Sequence, residues 1–163
     1  VNIPSGFTLP DSFCERCGGE GIFSHASIPA DFRIPTFSSW YIGTLEDNMF
    51  EGATIASGWT LPVGFMSKTS ILSDIFNGTI FQGPFVLPND FGVKLLLSSI
   101  FINVNLSYNI DWSAADLTDK GSQFSNLFTN VVWNNHVVLV KNQASKDALI
   151  EGGAPADRVQ IKV

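Results

Sequence analysis

A file of regularly spaced phenylalanines constrains this chain more than any other feature. Phe23, Phe50, Phe76, Phe101 and Phe128 follow one another at intervals of 27, 26, 25 and 27 residues. One residue before them lie Ile22, Met49, Ile75, Ile100 and Leu127; five after lie Ile28, Ile55, Phe81, Leu106 and Trp133. Nine after lie Phe32, Trp59, Phe85, Ile110 and Val137, and eleven after lie Ile34, Leu61, Leu87, Trp112 and Leu139. Every one of these positions is apolar in a chain that is 45% hydrophobic. Chance would give that on the order of 10⁻⁹ of the time, before allowing for the choice of register. A unit this small cannot bury its own apolar stripe, whereas similar units stacked on one another can, which is the logic of a solenoid. The expected core therefore includes Phe23, Phe50, Phe76, Phe101, Phe128, Trp59, Leu61, Phe85 and Leu87.

Each unit also has a local reading. Before the anchors, apolar residues recur at helical spacing, as in Leu72, Ile75, Phe76 and in Leu97, Ile100, Phe101, which predicts a short helical turn. Two residues after the anchors stand His25, Gly52, Gly78, Asn103 and Asn130, residue types that accept the left-handed conformation and so predict a corner. Offsets nine and eleven alternate with offset ten, which predicts a short half-buried strand. Pro10, Pro35, Pro62 and Pro88 then end the strand, because proline cannot donate to a ladder. This predicts about six rungs, at 7–9, 32–34, 59–61, 85–87, 110–112 and 137–139, with parallel strands roughly 4.8 Å apart. Residues 1–140 form the solenoid in this reading, and 141–163 form a C-terminal cap of the same domain. Within that cap, Ser145 is expected to start a helix, Gly152-Gly153 to end it, and Val159–Val163 to form a strand.

The stretch Gly58-Trp59-Thr60-Leu61-Pro62, then Gly64-Phe65, then Asp74-Ile75-Phe76-Asn77-Gly78 resembles the BspA-like leucine-rich repeats of bacterial surface proteins. Met49-Phe50-Glu51-Gly52-Ala53 is the copy nearest to that pattern, although L-x-x-L-x-L-x-x-N itself does not occur. The resemblance covers residues 6–140. It implies an α/β solenoid, a leucine-rich-repeat-like right-handed coil, and an adhesion, protein-binding or display role outside the bacterial cell. It implies no shared catalytic residue.

Composition removes several functions. The net charge is −6 and the pI about 4.6, which argues against a nucleic-acid binder that works by neutralising phosphates. Apolar runs such as Leu95–Leu97 fall far short of the roughly 18 residues of a membrane span. The chain begins at Val1 with no signal-peptide pattern behind it, which suggests a processed protein or a piece of a larger one with an upstream domain.

Candidate chemistry is sparse. Cys14-Glu15-Arg16-Cys17 has redox-motif spacing but no βαβ setting, and His25 is the single further zinc ligand nearby. Small apolar fillers or one surface disulfide is the principal reading, with metal binding and redox activity as alternatives. His25 and His136 suggest no catalytic triad. Glu46, Asp47 and Glu51 cluster, as do Asp111, Asp116 and Asp119, at positions where solvated charge is expected; incidental calcium at Asp116 and Asp119 is the alternative. Asn77-Gly78-Thr79 and Asn105-Leu106-Ser107 are formal glycosylation sequons. The column between the two strand offsets, Thr8, Arg33, Thr60, Val86, Asp111 and Val138, is expected to face outward and to carry binding, with Trp40 and Tyr41 as loop anchors. The expectation is a non-enzymatic module with no cofactor and no metal, binding a protein or glycan at a bacterial cell surface. A structural component of a larger assembly, such as a viral tail or envelope complex, is the alternative, and a hydrolase with an unrecognised site a remote one.

Overall fold

The computed structural model describes residues 1–10, 21–35, 48–64, 71–93 and 96–163. It is a parallel β-solenoid with little helix. One ladder joins β1 (Ser27–Ile28), β2 (Thr54–Ile55) and β4 (Ile80–Phe81). A second joins β3 (Ile71–Ser73), β6 (Leu96–Ser98) and β9 (Phe124–Ser125). A third pairs β7 (Phe101–Ile102) with β10 (Phe128–Thr129). The longest joins β5 (Phe85–Val86), β8 (Ile110–Asp111), β11 (Val138–Val140) and β12 (Val159–Ile161). All these pairings are parallel, as expected when a chain repeats one path and each circuit lies on the last.

The phenylalanine file is present. Ring centroids are 5.5 Å apart for Phe23–Phe50, 5.4 Å for Phe50–Phe76, 5.3 Å for Phe76–Phe101 and 5.3 Å for Phe101–Phe128, with interplanar angles of 13°, 13°, 14° and 6°. The expected core residues are buried, except that Phe128 at the end of the file is half-buried. Trp59 and Trp112 are wholly enclosed because their indole N–H groups have partners: they donate to the carbonyls of Phe32 and Phe91. A buried indole without such a partner would carry a desolvation cost.

The corners explain how the file forms. His25, Gly52, Gly78, Asn103 and Asn130 all have left-handed backbones, with φ between 53° and 63°. A second left-handed column, Gly21, Asn48, Asp74, Ser99 and Asn126, stands two residues before each anchor, with φ from 47° to 70°. Each phenylalanine is thus gripped between two sharp bends. Across the corner, Phe50 N–H donates to Ile75 O, Phe76 N–H to Ile100 O and Phe101 N–H to Leu127 O, so backbone bonds tie one circuit to the next. The Asn77 side-chain amide donates to Asn48 Oδ1, that of Asn103 to Asn77 Oδ1 and that of Asn130 to Asn103 Oδ1, which forms an amide ladder outside the rings. Gly52 is required for space as well as conformation, since a Cβ there would run into the His25 imidazole.

Several expectations are corrected. The segments before the anchors are strands β3, β6 and β9, not helical turns. Leu97 points inward from a strand, Ser99 bends the chain, and Ile100 and Phe101 then point inward again. Helical spacing emerges from strand, bend and strand. The six rungs do not form one ladder: Thr8 bridges Arg33, β5 begins a separate run, and residues 59–61 are not in a strand. The helix α1 (Gln143–Glu151) is capped by Asn142, whose side chain accepts from Ser145 N–H; Ser145 itself is buried, and its hydroxyl accepts from Leu117 N–H. Gly152 follows α1, and β12 pairs with β11 along three residues. Among the described residues, no helix is long and apolar enough to cross a membrane.

Candidate functional site

The outward row was the principal sequence candidate, and only its members from Val86 onward lie on the longest ladder. Thr8, Arg33, Thr60 and Val86 are exposed, and Asp111 is half-buried. Val138 is not part of this row, because it is fully buried. The register pairs Val138 with Ile110 and Leu139 with Asp111, so Leu139 takes the outward place. The cause is one additional residue in the preceding corner, where Asn134 and Asn135 are both left-handed. A one-residue slip exchanges the faces of a strand. Gln160 of β12 continues the row beside Leu139.

The two charged members are engaged within the fold. Arg33 Nη1 donates to the carbonyls of Ala30 and Phe32, at 2.7 and 2.9 Å. Asp111 Oδ2 accepts from Lys162 Nζ at 2.6 Å, while Oδ1 accepts from the hydroxyl and N–H of Ser113. Partial burial pushes the Asp111 carboxyl up, but the bonds from Lys162 and Ser113 outweigh it and hold it below the ordinary aspartate value. The pair ties the end of β12 across to β8. Because the folded value is lowered, this contribution is present above the ordinary aspartate range and is lost as pH falls through the folded value. Lys162→Ala leaves burial less opposed, so carboxyl NMR should show the Asp111 titration moving upward. An unchanged midpoint would contradict the role given to the pair.

The other candidates are separated by the fold. Asp116 Oδ1 accepts from the hydroxyl and N–H of Thr118, and Oδ2 accepts from Lys141 Nζ at 3.3 Å. The Thr118 bonds, followed by Lys141, lower its carboxyl to about 2. Among the described residues, no three His, Cys, Asp or Glu side chains are placed to hold a metal ion. His25 lies beside Gly52 at the phenylalanine corner, whereas His136 stacks on Tyr108. Of the two sequons, Asn77 is engaged in the amide ladder and Thr79 is buried, donating its hydroxyl to Phe50 O. Cys14, Cys17, Trp40, Tyr41, Glu46 and Asp47 lie outside the described residues.

The sequence reading missed the Tyr108–His136 pair, with ring centroids 6.5 Å apart and planes at 29°. Tyr108 stands seven residues after its anchor and His136 eight after its own. Fixed offsets therefore place them in different columns. The signal that finds them is Asn134-Asn135, a dipeptide suited to two successive left-handed residues and hence to an added residue. Compared with family models, curated proteins and solved structures, the chain matches none.

Proposed function

We propose that this chain is a non-catalytic binding module of a bacterial cell-surface protein, which recognises a protein or a glycan on its repeat surface. The observation that supports it is the contrast between the two sides of the coil. The inward side is filled by stacked rings, and the outward side presents a row of low charge, Thr8, Arg33, Thr60, Val86, Asp111, Leu139 and Gln160, in which Arg33 is bonded to main-chain carbonyls and Asp111 is paired with Lys162. A stacked platform of this kind holds its surface groups at fixed spacing, which limits the ordering cost of binding. The likeness of Met49-Phe50-Glu51-Gly52-Ala53 to BspA-like repeats supports the extracellular setting and the leucine-rich-repeat kinship.

The test is capture of the purified chain on arrays of glycans and of extracellular proteins. Specific capture is expected. Val86→Gln, an exposed substitution that adds no charge beside its register partner Asp111, should weaken capture of a ladder-face ligand without lowering the melting temperature. Absence of capture together with turnover of an ester or glycoside would overturn the reading in favour of an enzyme.

A further inference from the structure

We propose that the corner built from Tyr108 and the Asn134-Asn135 turn is a binding site for a neutral sugar ring. The inference rests on the binding-module reading and names the ligand class and the residues.

The corner is rigidly made. Asn134 and Asn135 have φ of 46° and 67°, and His136 N–H donates to Trp133 O at 2.7 Å, which makes a type I′ turn. The Asn134 side-chain amide donates to Asn105 Oδ1 and to Leu106 O, so the turn is clipped to the preceding circuit. Asn109 Oδ1 accepts from Val137 N–H at 3.1 Å, a second clip. These bonds hold the His136 ring against Tyr108, whose residue surface is 40% exposed. Left over for a ligand are the Asn135 amide, which is exposed, and the Tyr108 hydroxyl; neither side chain makes a hydrogen bond among the described residues.

Charge decides the ligand class. Residues 95–110 and 121–140 contain no Asp, Glu, Lys or Arg, whereas the whole chain has 9 basic and 15 acidic residues. In the circuit that follows, beyond His136, the charged residues of 152–160 are Asp157 and Arg158, which pair with each other at 3.2 Å, so an anionic or cationic ligand would find no unpaired Asp, Glu, Lys or Arg on the segments around the corner. A neutral pyranose suits the groups present. Its C–H face lies against an aromatic ring, and an amide, donor and acceptor at once, bridges neighbouring hydroxyls. A few placed polar groups beside an aromatic surface are the usual make-up of a small-ligand site.

The experiment measures binding of the purified chain to immobilised neutral oligosaccharides built from glucose, galactose, mannose and N-acetylhexosamines. Sialylated and sulfated glycans form a parallel arm, and extracellular proteins a third. Retention by at least one neutral glycan is expected, with Tyr108→Ala weakening it about tenfold or more. Asn135→Gly keeps the left-handed backbone and removes only the amide, so it should weaken the same glycan while leaving the melting temperature unchanged. Retention unaffected by both variants, or confined to the charged glycans, would overturn the site. Capture of proteins alone would overturn the sugar inference and leave the binding-module reading standing. Capture of nothing in any arm would overturn both.

Discussion

Phe76→Ala should lower the free energy of unfolding by about 3–5 kcal/mol, the range for truncating a fully buried aromatic. Phe76 has no exposed surface. Its ring stacks on Phe50 and Phe101 and meets the edges of Phe81 and Phe85, at 5.7 and 5.2 Å. Truncation therefore opens a cavity in the middle of the file and removes a partner from each neighbouring circuit. A solenoid is held by nearest-neighbour interfaces, so damage at the centre weakens coupling between its two ends. Thr60→Ala changes an exposed side chain and should stay within about 0.5 kcal/mol of the parent. Denaturant melts of the two variants check this. Equal losses would mean that the inward and outward columns are wrongly assigned.

Gly152→Val should also be destabilising, by a smaller amount and for the opposite reason. Gly152 has an ordinary φ of −75°, so conformation does not demand glycine there. Space does. A Cβ would lie 2.6 Å from Phe124 Cβ and 3.0 Å from Leu127 Cδ1. Gly152 O also accepts from Leu127 N–H at 2.9 Å, a bond that ties the residue before the last anchor to the end of α1. Overpacking of this kind costs about 1–3 kcal/mol. It must push α1 away from β9. The readout is a lower melting temperature together with faster amide exchange at Leu127. Gly64 is a useful comparison, since a Cβ there would meet nothing within 4 Å, although its φ of +79° still disfavours a side chain. A Gly152→Val protein with parental stability and unchanged exchange at Leu127 would contradict this packing.

The repeat was legible in the residues because burial and conformation each leave a mark in composition. Apolar columns reported the inward positions, and Gly or Asn at the corner reported left-handed backbone. The second corner column was equally legible once aligned, as Gly21, Asn48, Asp74, Ser99 and Asn126 are all turn-forming types. It was overlooked because spacing of three and four residues around it matched a helix. Periodicity alone does not separate a helix from a strand bent sharply at a left-handed residue when the segment is only five or six residues long. The outward row was read correctly as far as Asp111 and failed at Val138. One added residue in a corner is small in sequence and complete in effect, since it exchanges inside for outside. The pairing of Lys162 with Asp111, made by long-range approach, leaves no local pattern and follows from the winding itself, whereas that of Tyr108 with His136 is marked by the added residue at Asn134-Asn135.

The most direct test of the winding is a nuclear Overhauser experiment on protein labelled only at phenylalanine ring carbons and protons. A chain of ring-to-ring contacts is expected in the order Phe23, Phe50, Phe76, Phe101 and Phe128, since each centroid lies 5.3 to 5.5 Å from the next. Cross-peaks that join non-successive members of the file, or none between Phe50 and Phe76 in the folded protein, would contradict it.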